Sequence, residues 1–249
     1  MSELTAVTMA GRCFRLTRRN VEALMTSLML PIVLMLMFVY LFGGAINTGT
    51  AYVTYVVPGV LLLCAGFGAS LTAVAVSNDM TSGIIDRFRS MDVSGTSFLA
   101  GHVCASVFRN TAATGVVLAV AVLIGFRPSA GAAAWIEALG LLLLFVLAVS
   151  WLSAAVGLLA QTPEGAGGFT FLLMFLPYPS SAFVPIDTMP SWLHGFAEHQ
   201  PTTPVIESLR GLLLDQPVGS APLHAVAWSL GLLALAVAVS TPLFRRRTT

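Results

Sequence analysis

All twelve basic side chains of this 249-residue chain are arginines, and it contains no lysine. A Walker-A loop, whose Lys reaches the β and γ phosphates, is thereby excluded, and so is Schiff-base or lysine general-base chemistry. His194, Glu198 and His199 together suggest a metal ion. The two histidines stand five positions apart, off a shared helix face, with no H-E-x-x-H and no Cys or carboxylate at a fixed offset, so solvated polar groups are expected instead. An intramembrane hydrolase is not expected either, since there is no G-x-S-x-G turn and no apolar run with Ser and His poised in its middle. Cys13, Cys64 and Cys104 are odd in number and lack C-x-x-C spacing, so they read as small apolar fillers. His102 and His224 fall near the ends of apolar runs and read as interfacial residues. No catalytic residue, metal or cofactor is expected in the chain itself.

Three other patterns suit contact with a surface or a partner. The segment 78–97 carries Asp79, Asp86, Arg87, Arg89 and Asp92, and at its centre Ile84, Phe88 and Met91 recur at i, i+4, i+7 after Gly83. Such a short amphipathic helix either lies on a membrane surface or docks on a cytosolic partner. Within 4–21, Arg12, Arg15 and Arg19 recur at i, i+3, i+7, with Leu4, Val7 and Phe14 available to another face. A helix lying among anionic headgroups has this pattern, and so does a basic flank that only sets topology. Arg109, beside Asn110, sits inside an apolar run, where a charge at the bilayer centre costs about 2.5–3.5 kcal/mol. Snorkelling to the cytoplasmic interface is the favoured expectation, and a pathway or partner contact is the alternative.

The elements that carry these residues must be membrane helices. Hydrophobic residues make up 57% of the chain and charged ones 9%, against roughly 25% charged in soluble domains, and the mean hydropathy is +0.88. Six apolar runs, 22–42, 52–77, 101–126, 134–160, 167–184 and 223–244, are long enough to be transmembrane helices. They leave room for a single domain, 1–249, that is all-α, and the short alternating segments of a β-barrel are missing. Nine arginines fall on the face that carries both termini and two, Arg127 and Arg210, on the other, which predicts cytoplasmic N and C termini. Pro31 and Pro58 should kink the first two spans. Ala65, Ala69 and Ala73, with Gly66 and Ser70, offer a close-packing face within the bundle or across a dimer. Span centres without Asp or Glu argue against ion coupling.

The outer stretch 177–222 holds eight of the 13 prolines, among them Pro185, Pro190, Pro201 and Pro204. Irregular backbone in lipid requires shielding by protein, so a re-entrant or outer-leaflet helical hairpin over 185–222 is predicted. One helix begins near Pro190 and places Trp192 at headgroup depth. The other has Thr203 as its N-cap and Pro204 at its first position. Val205, Ile206, Leu209, Leu212 and Leu213 form its apolar stripe, and Glu207 and Arg210 an i, i+3 pair.

The runs NDMTSGIIDRFRSM at 78–91, SAFVPIDTMPSWL at 181–193, EHQPTTP at 198–204 and LRGLL at 209–213 resemble the permease subunits of type-2 ABC exporters, in particular the daunorubicin-resistance branch of actinobacteria. The resemblance covers nearly the whole chain. It implies that 81–91 is a coupling helix docking on a separate ATPase subunit, which binds ATP and Mg, and that Gly83, Ile84, Asp86, Arg87, Phe88, Arg89 and Met91 belong to it. It implies a connecting helix over 1–20 and the re-entrant pair over 185–222. Asp92 and Gly95 stand where the family commonly has Pro and a basic residue. The implied partners are the ATPase, a second copy or paralogous permease, and the bilayer of the cytoplasmic membrane; no nucleic acid is expected. Cargo would leave along a dimer interface formed largely by the second and fifth spans, and few span charges with many Phe, Leu and Met point to a hydrophobic or amphipathic compound, such as a drug or natural product. A lipid-linked or polysaccharide cargo, a stand-alone secondary carrier, and a non-transporting scaffold or immunity protein are the alternatives.

Overall fold

Long apolar runs in a chain with few charges leave the backbone one economical way to pair its own N–H and C=O groups, and that is what the chain adopts. The computed structural model describes residues 11, 21–82 and 95–248. Every regular element among those residues is helical. The helices are α1 (Val21–Met37), which passes into a π-helical turn at Phe38–Phe42; α2 (Tyr52–Thr81); α3 (Gly95–Leu123); α4 (Ala132–Leu159); α5 (Pro163–Phe175); α6 (Ser191–His199); α7 (Thr202–Leu213); and α8 (Ala221–Thr248). The residues expected to form the N-terminal interfacial helix and the coupling helix, Arg12, Arg15, Arg19, Gly83, Ile84, Asp86, Arg87, Phe88, Arg89 and Met91 among them, lie outside the described residues.

Among the described residues, four helices are long and apolar enough to cross a membrane: Tyr52–Thr81, Ser97–Leu123, Ala132–Leu159 and Ala221–Phe244. The first expected run, 22–42, contributes the shorter apolar helix Leu28–Phe42. The fifth, 167–184, is helical only to Phe175. Pro177 and Pro179 lack N–H donors and disfavour helical geometry in the residues before them, so the chain continues as turns through 176–184. The start of α5 is set by local chemistry: Thr162 accepts from the Gly165 N–H at 3.1 Å, with Pro163 in the first turn.

Helix replaces both ends of the loop that the charge pattern over 78–97 implied. Helix α2 extends to Thr81, whose hydroxyl donates back to the Ser77 carbonyl at 3.0 Å, and α3 already begins at Gly95. Hydropathy ends a span where polar side chains begin, yet a helix continues as long as its carbonyls find donors.

Helix α2 is the axis of the bundle, packed against α1, α3, α4, α5 and α7, while α8 lies on α4 and α7. Ala65, Ala69 and Ala73 are all buried, so the small-residue face serves the chain's own core. A methyl on Gly157 of α4 would meet the Ala73 carbonyl oxygen at 2.5 Å, which shows how closely the backbones approach there. Of the two roles expected for this face, it takes the one within the bundle: α2 is the most buried of the four long helices and α8 the least. Apolar side chains are left uncovered on α1 and α5, including Met29, Val33, Phe169 and Leu172, and also on α3, α4 and α8, including Leu123, Ile136 and Leu223.

Candidate functional site

Between α5 and α6 the chain has no helix to pair its carbonyls, and side chains take over. Ser180 Oγ donates to the Pro177 carbonyl at 2.5 Å, and Gln200 Nε2 to Pro179 at 2.7 Å. The Arg210 guanidinium donates to Ser181 at 2.5 Å, and the Tyr52 hydroxyl to Phe183 at 2.9 Å. Phe183 is stacked between Phe38 and Tyr178, with ring centroids 4.3 and 5.2 Å away. A methyl on Gly59 would lie 2.6 Å from the Ala182 methyl, so only glycine in α2 admits the turn this close. An irregular segment is thus seated against the N-terminal end of α2 through hydrogen bonds from three directions.

Two short helices, α6 and α7, follow within the stretch 185–222 where a helical hairpin was expected. Pro185 opens a 3-10 turn at Ile186–Thr188, and Pro190 caps α6, on which Trp192 is 79% exposed. Helix α7 starts earlier than expected, with Pro201 as its N-cap and Pro204 third in the helix. Thr203 is not the cap, because its hydroxyl donates back to the Ala197 carbonyl of α6 and ties the two helices together. The stripe Val205, Ile206, Leu209 and Leu213 is fully buried, as its spacing implied. Arg210 does not form the expected pair with Glu207. Its Nε and one terminal nitrogen donate to the Tyr55 carbonyl at 3.2 and 3.1 Å, and its carbon stands 3.7 Å above the Tyr55 ring. Burial raises the Glu207 carboxyl above its ordinary value, with the Arg210 charge opposing.

Deeper in the bundle, Arg109 is buried, and its guanidinium donates to the Gly68 carbonyl at 2.8 Å and to the Thr72 hydroxyl at 2.9 Å. Arg109 therefore turns into the bundle instead of snorkelling, which corrects the sequence expectation. Its neighbour Asn110 donates to Ser106 at 3.3 Å, and its amide fills the space above Gly68, where a methyl would lie 1.8 Å from Oδ1. Ser106 in turn meets Ser150 of α4 at 2.9 Å. The result is a polar layer joining α2, α3 and α4.

A second contact joins α2 and α3 at the root of the loop. Asp79 and His102 are both buried, with Oδ2 and Nε2 3.1 Å apart, and Phe98 packs edge-on to the imidazole. His102 is thus no interfacial residue, and Asp79 belongs to the last turns of α2. Their separation of 23 positions across a charged loop carried no motif that could have paired them. The His194 and His199 rings each bond a nearby backbone carbonyl, and among the described residues no cluster of three or more potential metal ligands occurs.

Below the irregular segment lies an apolar cavity of about 70 Å³ between α2, α4 and Pro177, well under the roughly 300 Å³ at which drug-sized ligands begin to fit.

Residues 6–214 match the family described as ABC-2 type transporter. The chain is 31% identical over 226 residues to the daunorubicin resistance ABC transporter permease protein DrrB1 of Streptomyces coeruleorubidus, covering 88% of this chain and 76% of that protein. It is 23% identical over 236 residues to the probable doxorubicin resistance ABC transporter permease protein DrrC of Mycobacterium tuberculosis, covering 93% and 84% respectively.

Proposed function

The chain belongs to the ABC-2 type transporter family, and we propose that it is the membrane-spanning permease of an ATP-driven exporter that moves a hydrophobic or amphipathic compound outward across an actinobacterial cytoplasmic membrane. The observation that carries this reading is 31% identity, over most of both chains, to a permease named for daunorubicin resistance. On this reading α1 and α5 complete six crossings with the four long helices, and the arginine distribution places both termini in the cytoplasm. Without lysine the chain has no Walker-A loop of its own, so ATP and Mg belong to a separate ATPase subunit.

Gly83, Ile84, Asp86, Arg87, Phe88, Arg89 and Met91 are the residues proposed to dock on that subunit, with the apolar stripe against it and the charges around the rim. Arg12, Arg15 and Arg19 would hold the N-terminal helix at the headgroups. Coupling requires ATP to favour one packing of the helices over another, and reversing a population from 1:99 to 99:1 takes about 5.5 kcal/mol of differential binding. Among the exposed apolar faces, those of α1 and α5 are the ones proposed to meet a second copy or a paralogue and enclose the pathway.

Inverted vesicles containing the chain and its ATPase test this directly, with daunorubicin as the probe. ATP-dependent, vanadate-sensitive accumulation is expected. Transport by the chain alone under an ion gradient would instead make it a secondary carrier.

A further inference from the structure

We propose that Arg210 is a positioning residue that locks the outer hairpin to α2, so that movement of α2 at its cytoplasmic end reaches the outer exit. The inference rests on the permease reading above. Helix α2 is 30 residues long, about 45 Å at 1.5 Å per residue, and runs from the root of the loop after Thr81 to the underside of the hairpin. Arg210 joins three elements there: its own helix α7, the Tyr55 carbonyl near the start of α2, and the Ser181 carbonyl of the irregular segment. The planar fork meets two acceptors on different elements while its face lies over the Tyr55 ring, an arrangement that an ammonium cannot reproduce.

Two independent contacts reinforce the same junction. The Tyr52 hydroxyl holds Phe183, and the absent side chain at Gly59 lets Ala182 sit against the helix. The hairpin therefore follows α2 wherever α2 moves, because sliding between them would break a charged hydrogen-bond set within a packed apolar surround. Asp79 and His102 fasten the opposite end of α2 to α3. A shift imposed at the loop thus travels toward the outer face along one continuous helix, and the Gly59–Ala182 contact seats the irregular segment on the loop side of Pro58, the one proline inside α2, so a bend there does not uncouple it.

The test is the number of daunorubicin molecules exported per ATP hydrolysed by the reconstituted complex with its ATPase. Arg210→Gln is expected to lower that ratio about tenfold, within the usual range for coupling between two sites, with Arg210→Lys restoring part of it. Tyr52→Phe removes one hydroxyl while keeping the ring, so it reads the same seat in a variant whose folding is spared, and it should lower the ratio by a smaller factor. A purely structural Arg210 would lower the amount inserted and leave the ratio of the surviving protein unchanged. An unchanged ratio in inserted Arg210→Lys and Tyr52→Phe overturns the inference while leaving the permease reading standing. Wild-type complex without ATP-dependent export overturns the permease reading, and the inference with it.

Discussion

Arg109 shows how two opposing magnitudes settle near balance at a single residue. Placing an arginine at the middle of a membrane helix costs about 2.5–3.5 kcal/mol. Its donors reach Gly68, Thr72 and, at 3.5 Å, Ser106, and membrane hydrogen bonds average about 0.6 kcal/mol with a maximum near 1.7. Gain and cost are comparable, so Arg109→Met is expected to change unfolding free energy by no more than about 1 kcal/mol. Gly68→Ala should behave differently. Its methyl would lie 1.8 Å from the Asn110 oxygen, and overpacking of this kind costs about 1–3 kcal/mol. Thermal melts of the two variants in detergent check the ranking, and a larger loss for Arg109→Met would show that its hydrogen bonds dominate. Sequence alone put Arg109 within reach of an interface because the starting point of its helix was misread; with Gly95 as the first residue of α3, Arg109 lies four turns inside it.

At the scale of elements, α2 and α3 are joined twice, through the polar layer around Arg109 and through Asp79 and His102. If the lower contact fastens the helices beneath the loop, Asp79→Ala and His102→Ala should each destabilise the protein. The double variant should then be less destabilised than the sum by about 1 kcal/mol. Additive losses in equilibrium unfolding would mean that the pair is merely adjacent. The helices themselves were legible where periodicity had nothing to compete with: the 134–160 run became Ala132–Leu159 almost unchanged. Where prolines and hydroxyls compete, the reading slipped. The 167–184 run looked like one span because Pro177 and Pro179 are surrounded by apolar residues, and Thr203 looked like a cap because the carbonyl it actually serves, that of Ala197, belongs to another helix. The buried face of α7 was readable from spacing, whereas the partners of Arg210 could not be, since Tyr55 lies 155 positions away.

For the molecule as a whole, the arginine distribution makes a topology prediction that needs no transport assay. On the proposed outer face only Arg127 and Arg210 stand as trypsin targets. Arg127 precedes Pro128, a bond that trypsin leaves intact, and Arg210 is held within the hairpin by Tyr55 and Ser181. Trypsin added to right-side-out vesicles should therefore leave the chain whole, while inverted vesicles should yield fragments from cleavage near Arg87 and Arg89. Cleavage from the outside at those two positions would invert the proposed orientation. The irregular stretch 176–184 has a further consequence for engineering and descent alike. Its shape is stored in Tyr52, Gly59, Gln200 and Arg210, which are remote from it in the chain. A graft of that stretch alone into a relative would arrive without its anchors, whereas an exchange that carries both the first turns of α2 and the hairpin would bring the fold of the stretch along with it.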